Sequence, residues 1–141
     1  MLDEVSSHSA PIAIAQHWRE GGVLVVSVRG ELDLCTAPWW VAALEDACAH
    51  RPAVLVVDLS EVSFLGATAM TSLLSVQRDI GDSDRFVVVA AGPVTARPLR
   101  LLGIDRVVRV LGSLEQALAQ RAGGDVVRPD RGRCSPGRRA V

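Results

Sequence analysis

Two kinds of hydrophobic pattern alternate along the chain. Ile12–Trp18 reads as a modest strand, and Val23–Val28 (VLVVSV) is β-branched and bounded by Gly22 and Gly30. Thr36–Ala37–Pro38 then predicts a helix start, with Thr36 as N-cap and Pro38 in the first turn, where a missing N–H costs nothing. Trp40, Leu44, Ala47 and Cys48 follow at helical spacing as one apolar stripe. The continuous run Val54–Leu59 predicts a strand covered on both faces. Met70, Leu73, Leu74 and Ile80 line a second helix, and Arg85–Ala91 (RFVVVAA) predicts another buried strand. Thr95 is the expected cap of a helix from Ala96 to Leu102, with Pro98 in its first turn and Gly103 as its stop. Val107–Leu111 predicts the last strand, and Ser113 and Gln116 stand at capping-box spacing before a final helix to about Arg121.

The order is strand, strand, helix, then strand–helix three times. It predicts an α/β fold with a mixed, mostly parallel β-sheet and about four α-helices packed on it. Residues 1–10 are polar and aperiodic and read as a flexible lead-in; residues 11–121 read as the domain. Residues 122–141 are dominated by Gly, Pro and Arg without an apolar stripe, and read as a disordered tail. A length of 141 residues fits one domain that needs no disulfide or metal staple.

Composition narrows the functional classes. All fifteen basic residues are Arg, against sixteen acidic residues, so the net charge of −1 carries no nucleic-acid footprint. The tail holds five Arg against two Asp. It reads as solvated, with nonspecific contact to nucleic acid or acidic lipid as the competing reading. No uncharged stretch has the ~20 apolar residues of a membrane span, and the acidic N-terminus is unlike a signal peptide. The chain is therefore expected to be cytoplasmic, with neither a membrane nor a specific nucleic acid as partner. Three Cys with no C-x-x-C spacing make neither a disulfide framework nor a zinc site. A Cys35–Cys48 bridge is not expected either, because a helix over that interval spans ~16 Å.

No carboxylate pair stands near a His, since His8, His17 and His50 are scattered, so no catalytic residue, metal or cofactor is expected. In open α/β sheets, sites form where strands end and helices begin. Two such loops stand out here: Gly30–Thr36 (GELDLCT) and Ser63–Thr68 (SFLGAT). A right-handed parallel arrangement brings both to one end of the sheet, with Asp33 near Thr68. Thr68 is by residue type an ordinary helix N-cap as well as a candidate site. Trp39 falls off the core stripe beside the first loop, which is a hint of an interface.

Three segments carry a resemblance: VRGELDLCTAP (28–38), VLVVDLSEVSFLGATAM (54–70) and LLGIDRVVRVLGSLEQAL (101–118). They are similar to the STAS domain, the fold of bacterial anti-sigma-factor antagonists, over roughly residues 12–121. The resemblance implies a non-enzymatic partner switch. In that family the loop before the second helix reads Asp-Ser-Ser-Gly after the Phe-Leu pair. Its second Ser is phosphorylated by an anti-sigma factor that is itself an ATP-dependent kinase; the unphosphorylated antagonist binds that kinase and frees the sigma factor. Aligning Phe64–Leu65 sets Gly66 at the Asp, Ala67 at the first Ser, Thr68 at the phosphoacceptor and Ala69 at the Gly. The resemblance thus implies partner contacts at Glu31, Asp33, Thr36, Gly66, Ala67, Thr68, Ala69 and Met70, with Thr68 as the phosphorylation candidate. A STAS scaffold that assembles with other STAS proteins without phosphorylation is the alternative, and a ligand or nucleotide sensor a third.

Overall fold

The valine-rich runs at 23–28 and 54–59 lie side by side at the middle of the sheet. The structure is a computed structural model and describes residues 12–124. In chain order the elements are β1 (Ile12–Arg19), β2 (Val23–Leu32), α1 (Ala37–Ala49), β3 (Val54–Leu65), α2 (Ala67–Ile80), β4 (Phe86–Val89), α3 (Ala96–Leu101), a 3-10 turn (Ile104–Arg106), β5 (Arg109–Leu111) and α4 (Leu114–Gly124). The strands follow one another across the sheet in sequence order. β1 pairs antiparallel with β2, and the other three pairings are parallel.

Strand alternation decides which side chains meet which helices. Leu24, Val26, Val28, Leu55, Val57, Phe86 and Val88 face one core, shared with Trp40, Leu44, Leu73 and Leu99 of α1, α2 and α3. Val23, Val25, Val54, Val56, Val87 and Val89 face the other, against Ala117, Leu114 and Leu118 of α4. Both faces of the central strands are covered, which is why their sequences are unbroken apolar runs. The β1–β2 hairpin turns at Gly21 and Gly22, whose φ values of 82° and 76° lie in the left-handed region that glycine adopts without strain.

Several boundaries differ from those expected. β2 and β3 run on to Leu32 and Leu65, so the first three residues of each expected loop are strand. β3 gains its length from two register shifts against β2, between the pairs Ser27–Asp58 and Arg29–Glu61 and again between Gly30–Val62 and Glu31–Phe64. Bulges of this kind break period-two alternation, and that break makes 60–65 look like loop in the sequence. β4 is shorter than Arg85–Ala91. β5 begins at Arg109, because Val107 caps the 3-10 turn instead of extending the strand. At the last helix the Ser113 Oγ accepts the Gln116 N–H at 3.0 Å, while the Gln116 Oε1 reaches the Gly112 N–H at 3.1 Å. That helix continues to Gly124, into the stretch read as tail. Residues 1–11 and 125–141, with His8 and Cys134, lie outside the described residues.

Burial separates structural leucines from surface ones. Leu73 is fully buried between α2 and the sheet, whereas Leu34 is 78% exposed. Leu73→Ala is expected to cost about 2–5 kcal/mol in urea denaturation, and Leu34→Ala to stay within about 0.5 kcal/mol of the parent. Similar losses for the two variants would contradict this core assignment.

Candidate docking site

The two candidate segments meet at the carboxyl ends of β2 and β3. The Gly66 N–H donates to the Leu32 carbonyl at 2.8 Å. A Cβ on Gly66 would lie 3.0 Å from that same oxygen and 3.7 Å from the Asp33 Cα. The backbones therefore cross at a separation that suits glycine. The φ of −87° and ψ of 171° at Gly66 are open to any residue, so space and not conformation sets the requirement. The crossing joins Asp33 to Gly66, two residues ahead of Thr68.

The first segment is built around Asp33. Its Oδ1 accepts the N–H groups of Cys35 at 2.9 Å and Thr36 at 3.0 Å, and its carbonyl accepts the Ala37 N–H at 3.0 Å. Asp33 therefore closes the turn that leads into α1. Thr36 occupies the N-cap position of α1 but makes no side-chain cap bond. Its hydroxyl instead donates to the Glu31 carbonyl at 2.9 Å and accepts the Asp33 N–H at 3.0 Å, and the residue is fully buried. A short apolar residue facing those groups would leave both unpaired.

The second segment starts α2 earlier than expected. Gly66 is the N-cap and Thr68 the second helical residue, so the reading of Thr68 as N-cap is corrected. The cause is the second shift in β3, which keeps Phe64 and Leu65 in the strand and lets the helix begin directly after Gly66. Thr68 is half-buried, and its carbonyl accepts the Thr71 hydroxyl at 3.0 Å. The first turn of α2 contains no acidic residue. Deeper in, the Trp40 indole N–H donates to the Ser72 Oγ at 2.6 Å, and that hydroxyl donates to the Ala69 carbonyl at 2.6 Å. This relay ties α1 to the first turn of α2.

Of the eight residues expected to touch a partner, Glu31 and Ala67 are exposed, and Asp33, Gly66 and Thr68 are partly so. Thr36, Ala69 and Met70 are buried and serve the scaffold. Sequence reading missed Leu34 and Phe64, which are 78% and 51% exposed beside the crossing. Trp39, flagged from the sequence, is also more than half exposed. The usable signal for Leu34 was an apolar residue between Asp33 and the helix, in a turn with no core to enter. For Phe64 the bulge hid the face. Among the described residues no group of three or more His, Cys, Asp or Glu is placed to hold a metal ion, and no helix is long and apolar enough to cross a membrane. Cys35 and Cys48 are both free thiols; burial first, then Asp79 and Glu45, pushes the Cys48 thiol up to about 11. His50 lies edge-on to Trp18 at 6.0 Å between ring centroids and 3.5 Å from Asp46, which gives it a structural setting.

The STAS-domain family model matches residues 18–117 of this chain. The chain belongs to the STAS-domain family. This STAS protein is 40% identical over 120 residues to the anti-sigma-F factor antagonist RsfB of Mycobacterium tuberculosis, covering 85% of this chain and 96% of that one. Among solved structures it is similar to an anti-sigma factor antagonist from Mycobacterium paratuberculosis, with a TM-score of 0.73 and 38% identity over 77% of this chain and 92% of the other. The unphosphorylated anti-sigma factor antagonist SpoIIAA shares the fold, with a TM-score of 0.61 at 15% identity over 80% of this chain and all of that one.

Two substitutions test how the STAS site is held. Thr36→Val removes the buried hydroxyl that pairs the Glu31 carbonyl and the Asp33 N–H in a partly buried setting, and is expected to cost about 1–3 kcal/mol in chemical denaturation. Gly66→Ala forces a Cβ against the Leu32 oxygen and is expected to cost about 1–3 kcal/mol, although its dihedral angles are permitted. A neutral Gly66→Ala would show that the two backbones separate at little expense.

Proposed function

We propose that this protein is an anti-sigma-factor antagonist: it binds an anti-sigma factor through the strand-end site and so releases a sigma factor. The observation that carries the reading is that Leu34 and Phe64, which flank the Asp33–Gly66 crossing in the chain, are exposed, as is Trp39 at the start of α1. Exposed aromatic and aliphatic side chains at a rigid loop crossing are the usual anchors of a protein interface. Close similarity to RsfB over nearly all of that protein supports the same partner class. The partner in this reading is an anti-sigma factor with an ATP-dependent kinase fold. The site works by binding and not by catalysis, and the setting is the cytoplasm.

Thr68 is the proposed phosphoacceptor. It stands at the second position of α2, where the helix dipole is uncompensated by any first-turn acid. A phosphate there adds about −1.5 to −2 charge, and the helix N-terminus accepts it without loss of fold. A partner packed over Thr68 has to strip water from that dianion, so the same group that suits the free domain opposes the complex. Leu34 and Phe64 supply the contact area, and Thr68 supplies the switch.

A second reading is favoured by one feature. Gly66 and Ala67 stand where the family pattern has an acid and a Ser, leaving Thr68 as the one hydroxyl between Gly66 and Ala69. A STAS scaffold that binds partners, including other STAS proteins, regardless of Thr68 needs no more than that.

The two readings separate in one experiment on Thr68→Asp. The acid at the helix start is expected to leave the melting temperature unchanged or slightly raised, by about 0.3–1 kcal/mol of helix stabilisation. Affinity for the purified anti-sigma factor in Mg-ADP is expected to fall about 1000-fold, equivalent to about 4 kcal/mol. Undiminished affinity would remove the switch and leave the scaffold reading, while absence of binding by the parent protein would remove the antagonist reading itself.

A further inference from the structure

At the other end of the sheet lies a surface of opposite chemistry. α3 leaves the strand ends after β4 and carries the chain back to the start of β5, where Arg109 pairs with Val87. The corner it makes, residues 100–107, therefore sits at the end opposite the Asp33–Gly66 crossing. Ile104 and Leu99 anchor the corner in the core, and Gly103, with φ of 74°, reverses the chain between them. On the outside, Leu101 is 72% exposed, and Leu102 and Val107 are each more than half exposed. Arg97, one helical turn before Leu101, and Arg100 and Arg106, beside Leu101 and Val107 in the chain, are all exposed, and none of the three forms an ion pair among the described residues.

The charge is concentrated here. Asp105 is the one acid between residues 92 and 111, whereas elsewhere in residues 12–124 eleven acidic side chains outnumber six Arg. The chain beyond Gly124 adds five further Arg against two Asp. Exposed aliphatic side chains interleaved in the chain with guanidinium groups that form no ion pair match a surface that is anionic outside and hydrocarbon beneath. They match other occupants less well. Single-stranded nucleic acid is held by aromatic stacking, and this corner contains no aromatic residue. A second copy docked patch to patch would oppose Arg to Arg.

We propose that this corner is a peripheral membrane contact, in which Leu101, Leu102 and Val107 enter the interface of an anionic bilayer and Arg97, Arg100 and Arg106 engage lipid phosphates. The contact is peripheral and involves no spanning segment. It departs from the expectation, drawn from composition alone, that no membrane is a partner. It does not rest on the antagonist reading, because it uses the opposite end of the domain.

Flotation of the full chain with vesicles of equal parts phosphatidylcholine and phosphatidylglycerol tests it, with pure phosphatidylcholine vesicles as the reference. The protein is expected to float with the anionic vesicles alone, and to be released by high salt. Leu101→Asp combined with Leu102→Asp is expected to abolish flotation. Arg97→Gln, Arg100→Gln and Arg106→Gln together are expected to weaken it about 100-fold, at about fivefold per charge. Because all five positions are exposed, melting curves of both variants should match the parent; if the Asp variant misfolds, the Gln variant alone decides. No flotation, or equal flotation with neutral vesicles, overturns the proposal. So does undiminished flotation of the corner variants with loss on replacing the five Arg beyond Gly124 by Gln, which assigns the binding to the tail. Tighter binding of a single-stranded RNA oligomer than of the vesicles overturns it in favour of nucleic acid.

Discussion

The Gly66 N–H meets the Leu32 carbonyl at 2.8 Å, and a Cβ at position 66 would stand 3.0 Å from that oxygen, so the whole docking end depends on two backbones approaching with no side chain between them. Parallel pairing of β2 and β3 delivers both chains to this point. From it, one chain turns through Asp33 into α1 and the other enters α2 directly. The contact thereby fixes where Leu34, Phe64 and Thr68 emerge relative to one another. An interface that relies on a few anchors needs them pre-positioned, because ordering loose loops at the moment of binding subtracts from affinity.

The same contact favours glycine at position 66, where the resemblance to the STAS pattern implies an acid: the nearest atom to a Cβ there is a backbone oxygen. A carboxylate there would also face that carbonyl dipole at its negative end. Removing it leaves the start of α2 free of negative charge, so any charge acquired at Thr68 acts against an uncompensated helix N-terminus.

Much of this was legible in the residues. The valine runs, the Trp40–Leu44–Ala47 stripe and the Ser113–Gln116 box each place an element, because burial on one or two faces writes a period into the sequence. The strand ends were not legible. Asp58 accepts both the N–H and the hydroxyl of Ser60 through its Oδ1, at 3.0 and 2.7 Å, where the register of β3 slips against β2. A slip of one residue reverses which side chains face the core, so Val62 and Leu65 are buried while Phe64 between them is exposed. No fixed period describes that stretch. The turn before α1 was hidden for a related reason: Thr36 stands at the N-cap its residue type suggests, yet it makes no side-chain cap bond, and the N–H groups of Cys35 and Thr36 itself are taken by Asp33.

The two ends of the sheet differ in a way that follows from connectivity. Every parallel crossover sends the chain up a strand and down a helix, so residues after strands gather at one end and residues before strands at the other. The carboxyl ends of β2 and β3 and the segments after them bring Glu31, Asp33, Leu34 and Phe64 to the first end. The segment before β5 brings the Arg–Leu corner to the second. Apart from Arg97, which opens α3, neither set reaches the other's end, so one surface can be covered while the other stays open. A domain held by its basic corner against an anionic layer would present the Asp33–Gly66 crossing outward, with the side chains that a protein partner needs directed away from the layer. Occupancy of the two surfaces then competes for no residue, and coupling between them has to pass through the core, where Trp40 and Ser72 already link α1 to the first turn of α2.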